Sequence, residues 1–353
     1  MMETVFWLSF IFIVYVYFGY PAMLAILRRL AGRPVQKAYY EPTVSIVIAA
    51  HNERQRIEKK LLNCLALDYP KRKLQIIAAL DGPTDGTEFV VWKYARQGIE
   101  MSHSPEHRGK SSALNLAMRR ATGEIIVFAD VRQMFDPAAI RELTANFADP
   151  QVGAASGELV LMDESRGEAK SDVGLYWRYE KALRAMESRI HSVAGATGAI
   201  YAIRRELYQE LPEETLIDDV VIPMRVVLAG RRTIFDPEAK AYDTVACCPL
   251  AEYGRKVRTL AGNYQLLTQL PQLLLPWRNP IFVQFLSHKV GRLLVPYALM
   301  TLLISNVFLL HGVYALFFSL QSVWYISAAA GYLFSKRGVS APILVPDESR
   351  RVA

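Results

Sequence analysis

Two stretches of this chain are too apolar for the core of an ordinary soluble domain, and they decide what the rest can be. Val5 to Leu27 carries no charged side chain, and about 20 apolar residues suffice to cross the hydrocarbon of a bilayer. Leu293 to Ser335 contains no Lys, Arg, Asp or Glu and is interrupted near its middle by Asn306, His311 and Gly312. That is the pattern of two helices joined by a tight turn, with His311 at the interface. MMET precedes the first run and Arg28, Arg29, Arg33 and Lys37 follow it, the reverse of the charge order in a cleavable signal, so the run is expected to be a retained span. His288, Lys289 and Arg292 flank the second run on one side and Lys336 and Arg337 on the other. Basic residues favour the cytosolic face, which predicts an outside N-terminus, a cytosolic middle and a multi-pass protein of the cell (inner) membrane.

The formal charge of +7 over 353 residues is modest, and many of the basic residues lie beside apolar runs, which points to lipid or phosphate. No nucleic-acid docking motif accompanies the charge, so a nucleic-acid partner is not expected. Cys64, Cys247 and Cys248 match no zinc or CxxC spacing and read as reduced thiols.

Between the apolar runs, short β-rich segments alternate with helical patterns, the signature of an α/β domain with a mostly parallel sheet. VSIVIAA at 44–50 leads into a helix with Ile57, Leu61, Cys64 and Leu65 at helical spacing, and LQIIAAL at 74–80 into the turn DGPTDGT and a helix. A weaker strand near IEMSHS precedes HRGKSSALNLAMRRA, with Leu114, Ala117 and Met118 on one helix face. EIIVFAD ends in Asp130, and Asp136 with Pro137 opens the next helix. These four βα units predict a nucleotide-binding half over residues 40–150. An acceptor half over 151–248 would include the long helix at SDVGLYWRYEKALRAMESR, followed by amphipathic interfacial helices over 249–287 and two spans over 291–335.

Carboxylates at strand ends face ligand rather than core in open α/β sheets, which singles out Asp81, Asp130 and, later in the chain, Asp219. Asp130 closes a buried strand and needs water, a cation or a donor. A divalent ion bridging a diphosphate would satisfy it, and so would a simple turn. Asp81 and Asp85 lie in a Gly/Pro turn where Asp also serves backbone hydrogen bonding. HRGKSS lacks the first Gly of a Walker loop, with Ser104 in its place, yet Gly109 and Lys110 at a helix start suit an anion or a solvated basic terminus. One of Asp218 and Asp219 could cap the following helix while the other acts as a base. In EYGRKVRTLAGNYQLL, helical spacing places Tyr253, Val257, Leu260, Tyr264 and Leu267 on one face and Arg255, Arg258, Gly262 and Gln265 on another. Arg255 reads as a snorkelling cation, and Arg258 could steady a departing diphosphate.

In this order, VSIVIAAHNE, DGPTDGT, HRGKSSALN, GEIIVFAD, GATGAIYAIRR and LIDDVV resemble the membrane-bound family-2 glycosyltransferases, the group that includes cellulose, hyaluronan and poly-N-acetylglucosamine synthases. The resemblance covers roughly residues 40–270 and implies a glycosyltransferase-A, Rossmann-like fold. It implies a UDP-sugar whose uracil and ribose lie near Ala50, Asn52, Glu53 and Asp81 and whose diphosphate lies near Lys110. Asp130 would hold a divalent cation, Mg or Mn, and Asp219 would be the catalytic base. Two departures stand out. The family's Asp-x-Asp is Asp130-Val131-Arg132 here, so either Arg132 would meet phosphate directly or one carboxylate would hold the ion through the phosphates. The family's Gln-x-x-Arg-Trp is Arg255-Lys256-Val257-Arg258-Thr259, which keeps the Arg and loses the sugar-stacking Trp.

The activity implied is inverting hexosyl transfer, of glucose or N-acetylglucosamine, from UDP-sugar to a glycan acceptor at the cytosolic membrane face in polysaccharide synthesis, with the bilayer and oligomer or export partners around it. Single addition to a lipid-linked glycan is the alternative, and a non-catalytic nucleotide-sugar-binding partner, motivated by Arg132, is another.

Overall fold

A computed structural model describes residues 1–162, 174–244 and 249–336; Cys247 and Cys248 lie outside the described residues. The first four strands are β1 (Val44–Ala50), β2 (Leu74–Asp81), β3 (Ile99–Ser104) and β4 (Ile125–Asp130). They pair in parallel in the order β3-β2-β1-β4. Each is followed by a helix: α1 (Ile57–Leu65), α2 (Thr87–Trp92), α3 (Lys110–Met118) and, after the short β5 (Met134–Phe135), α4 (Ala139–Ala145). The four expected βα units are all present.

The apolar runs are explained by two-sided burial. Along β1, Val44, Ile46, Ile48 and Ala50 point into one core and Val47 into the other; along β4, Ile125, Val127 and Ala129 oppose Ile126 and Phe128 in the same way. Side chains of this size contribute about 1.5–3 kcal/mol each when fully buried, so strands with helices on both faces need no polar alternation.

The second half extends the sheet as β4-β7-β6-β8-β5. β6 is Val152–Met162, β7 Ile200–Arg204 and β8 Arg232–Thr244. β7 runs antiparallel to both β4 and β6, and β5 antiparallel to β8, while β6 and β8 are parallel. The mostly parallel α/β sheet is therefore as expected, with the reversal at β7. Between these strands lie α5 (Leu175–Ile190), the long helix expected from the sequence, and α6 (Asp218–Leu228).

Among the described residues, three helices are long and apolar enough to cross a membrane. An 18-residue window has a mean hydropathy of 2.1 in Met2–Ala31, 1.5 in Phe282–Val307 and 1.3 in Gly312–Leu333. Phe6 of the first packs with Leu302 and Leu309 near the end of the second and with Tyr314 and Phe317 of the third. The turn between the last two falls at His311 and Gly312, as expected. The second helix starts earlier than the apolar run suggests, so His288, Lys289 and Arg292 lie inside it. His288 bonds Glu180 and Glu187, and Arg292 bonds Glu180, all from α5. Tyr20 and Leu24 of the first apolar helix close on Leu183 of the same α5. α5 is thus seated directly on the apolar helices.

One further helix, α7 (Pro249–Gln269), is amphipathic as read. Tyr253, Val257 and Leu260 are exposed, while Gln265 accepts from the Leu216 N–H and donates to the Glu214 carbonyl.

Candidate active site

The carboxyl ends of β1, β2 and β4 open on one crevice. Asp81, buried at the end of β2, receives the N–H groups of Arg108 and Gly109 on its two carboxylate oxygens at 2.8 and 2.9 Å. Gly109 holds φ of 94°, a left-handed value that L side chains resist. That turn delivers Lys110 as the first residue of α3. Lys110 Nζ lies 2.9 Å from Asp130 Oδ1 and 3.2 Å from Asp218 Oδ1. Burial disfavours its charge, but Asp130 and Asp218 outweigh burial and hold its pKa well above the usual lysine range. The ammonium therefore stays charged at the junction of β4 and α6.

The expected donor-side residues are brought together on the neighbouring loops. Ala50 is buried at the end of β1, and Asn52 takes a left-handed φ of 52° that Asn tolerates better than most residues. Asn52 Oδ1 accepts from the Thr84 N–H at 2.8 Å, and the Glu53 N–H donates to Thr87 Oγ1 at 3.0 Å. Asp85 receives the N–H groups of Arg54 and Thr87, so it serves the backbone of this turn. Sequence reading passed over His51 and His107. Their rings stack at 3.9 Å, His51 Nδ1 meets the Asp81 carbonyl at 2.6 Å and His107 Nδ1 meets Asp81 Oδ2 at 2.7 Å. Ligand atoms of His51, Asp81 and His107 lie within 4.8 Å of one another, close enough to hold a metal ion.

Asp219 is set differently from the other carboxylates. α6 begins at Asp218 itself, and no side chain caps it. The expected capping role is therefore filled by neither acid; both stand in the first turn, where free N–H groups favour negative charge. Asp218 is buried against the Tyr201 hydroxyl at 3.1 Å. The Asp219 carboxylate makes no hydrogen bond or ion pair among the described residues, and its backbone carbonyl accepts from the Ala196 N–H at 2.7 Å. Burial and the neighbouring Asp218 push its pKa up to about 6, against the pull of Lys110 and Lys289. A half-buried carboxylate with a pKa near neutrality and nothing bonded to it can accept a proton.

One expected phosphate contact, Arg132, is engaged elsewhere. Arg132 Nη2 closes on Asp243 Oδ2 at 2.6 Å, and the same oxygen receives Gln133 Nε2 at 2.9 Å. Arg258 is exposed on α7, one turn before Gly262. A methyl group on Gly262 would lie 2.6 Å from Ile217, so the Gly262/Gln265 face is the one docked on the segment leading to Asp218.

For a divalent ion, the oxygen donor set fits at Asp130. Its side chain is 40% exposed, with one oxygen on Lys110, and a single carboxylate plus donor phosphates is an ordinary Mg or Mn arrangement. The imidazole-rich His51/Asp81/His107 group suits softer ions better.

A cavity of about 150 Å³ borders Asp219 through the 194–197 turn, and its lining includes Trp177, Glu180, Arg184, Thr197 and Lys289. The sequence marked α5 as part of the acceptor half but none of these residues individually.

This sheet, with its ligand crevice at the strand ends, defines a glycosyltransferase-A-type enzyme. The mannosyltransferase PcManGT from Pyrobaculum calidifontis, in complex with GDP-Man and Mn2+, superposes over 95% of this chain and 100% of its own with a TM-score of 0.69 at 23% identity. Residues 45–212 match the family model for glycosyl transferase family 2, and the chain carries a domain of that family. Among curated relatives, poly-beta-1,6-N-acetyl-D-glucosamine synthase of Staphylococcus aureus (strain COL) is 23% identical over 64% of this chain and 55% of its own length. Probable glycosyltransferase YdaM of Bacillus subtilis (strain 168) is 25% identical over 65% and 58%. The chain spans a little over half the length of these relatives.

Proposed function

We propose that this enzyme transfers a sugar, glucose or N-acetylglucosamine, from a UDP-sugar to a glycan acceptor with inversion. The observation that carries this reading is the unbonded Asp219 carboxylate, with a pKa of about 6, beside the Lys110–Asp130–Asp218 cluster. In the reaction, the acceptor hydroxyl gives its proton to Asp219 as its oxygen attacks the anomeric carbon. The bond from that carbon to the diphosphate oxygen breaks, and the electron pair leaves with the diphosphate. Lys110 would neutralise the leaving group, and Arg258, exposed on α7, would approach it from that side. An α-linked donor attacked in line gives a β-linked product. Ala50, Asn52, Glu53 and Asp81 would form the nucleoside side, with Asp81 acting through the 107–109 turn that it anchors. Asp130 would hold a divalent ion, which when bound adds positive charge against the diphosphate.

The catalytic domain would lie on the cytosolic side of a cell membrane with the N-terminus outside. Arg29 in the last turn of the first apolar helix and Arg33 just beyond it, both exposed, support that orientation. Single addition to a lipid-linked glycan is the second reading. It is favoured by Thr259, which is exposed on α7 where a processive relative would present a stacking Trp. Incubating membranes with a panel of UDP-sugars and measuring UDP release and product length tests both readings. Short products of defined length favour single addition, whereas release equal to that of membranes lacking the protein would overturn the enzymatic reading.

A further inference from the structure

The cavity beside Asp219 differs from the donor crevice in how its charges are matched. Its carboxylates already have partners: Glu158 pairs with Lys181, Glu180 with His288 and Arg292, and Glu187 with His288 and the Tyr20 hydroxyl. Two cations in the same lining do not. Among the described residues Arg184 donates only to neutral acceptors, Thr197 Oγ1 at 2.5 Å, Ser156 Oγ at 2.8 Å and the Gly195 carbonyl at 3.4 Å. Lys289 Nζ makes no hydrogen bond or ion pair among the described residues, and it lies 3.6 Å from where a Gly195 methyl would sit. Cations drawn partly out of water without a bonded carboxylate are costly, and a bound anion would relieve both.

The position of the cavity says which anion. Lys289 belongs to the 26-residue apolar helix Phe282–Val307, and the neighbouring Ser287 bonds Tyr15 of the first apolar helix at 2.7 Å. An anion seated on Lys289 would therefore lie against both apolar helices, as the phosphate of a lipid would. The Ala196 N–H bonds the Asp219 carbonyl, so the same turn that lines the cavity positions the base.

We propose that this cavity takes the phosphate of a lipid-linked acceptor, holding it between Arg184 and Lys289 so that a hydroxyl of the attached sugar reaches Asp219. The proposal rests on the reading of Asp219 as the base that takes the acceptor proton. It makes Arg184 and Lys289 specificity-determining residues for the acceptor.

The test is equilibrium binding of radiolabelled farnesyl phosphate to the full chain in detergent micelles, with farnesol and inorganic phosphate as competitors. Lys289→Gln and Arg184→Gln should each weaken farnesyl phosphate about ten-fold, the size of one lost charge-assisted hydrogen bond, while Lys289→Arg retains it within about three-fold. Farnesol and inorganic phosphate should each compete at least about ten-fold less well than unlabelled farnesyl phosphate. Unchanged binding in both Gln variants, or farnesol competing as well as farnesyl phosphate, overturns the phosphate site. Inorganic phosphate competing equally well overturns the lipid assignment. Asp219→Asn separates the two levels of the reading: it should keep farnesyl phosphate binding and lose sugar transfer. Transfer retained in that variant refutes the base, and normal binding in the Gln variants refutes the cavity alone.

Discussion

Gly198 and Asp219 touch so closely that a methyl group at position 198 would lie 2.9 Å from Asp219 Oδ2. The glycine is therefore part of how the base is aimed. In Gly198→Ala the carboxylate must move by a few tenths of an ångström or more, and misplaced catalytic groups lose rate steeply. We expect kcat to fall about ten- to a hundred-fold with donor KM nearly unchanged, measured by UDP release under donor saturation. A normal kcat would show that the approach has no catalytic meaning.

The pH dependence follows from the same carboxylate. Asp219 must be ionised to take a proton, and its pKa is raised to about 6. Activity should be full above that value and fall about ten-fold per pH unit below it. The profile of kcat/KM between pH 5 and 8 checks this, and a flat profile across pH 6 would contradict the assignment.

Lys110 lowers the Asp219 pKa as well as pairing with Asp130 and Asp218. Lys110→Met should therefore do two things together: raise donor KM and shift the acidic limb of the profile to higher pH. A change in KM with an unmoved limb would confine Lys110 to the diphosphate.

Arg132 reads from the sequence as a phosphate ligand, yet its charge is engaged by Asp243, whose side chain is 3% exposed. Removing it leaves that carboxylate with Gln133 as its remaining bonded partner. Arg132→Ala should destabilise the domain by about 1–3 kcal/mol, seen as a lower denaturant midpoint, with donor KM changed less than about two-fold. Wild-type stability with a large rise in KM would restore the phosphate role.

Much of the fold was legible because its signals are local. The two-sided apolar runs of β1 and β4, the turn glycines and the charge-free helices each carry their own pattern. Side-chain partners were less legible because they come from distant segments. Asp81 stands at a strand end as expected, but only the fold reveals that its carboxylate meets the Arg108 and Gly109 N–H groups. Asp218 and Asp219 look alike in sequence. The fold buries one against Tyr201 and Lys110 and leaves the other without a bond. Arg184 and Lys289, about 100 residues apart in the chain, share no motif and meet only because α5 is seated on the second apolar helix. Arg132 shows the opposite case, a residue whose motif position suggests phosphate while Asp243, on the distant strand β8, supplies its partner.

The most direct test of the central claim compares wild-type membranes with Asp219→Asn on the UDP-sugar that wild type uses. The Asp219 carboxylate bonds nothing among the described residues, so the variant should fold and insert normally. The account predicts a β-linked product from wild type and a loss of transfer of about 10²–10⁴-fold in the variant. Transfer by Asp219→Asn near the wild-type rate, or an α-linked wild-type product, would contradict it.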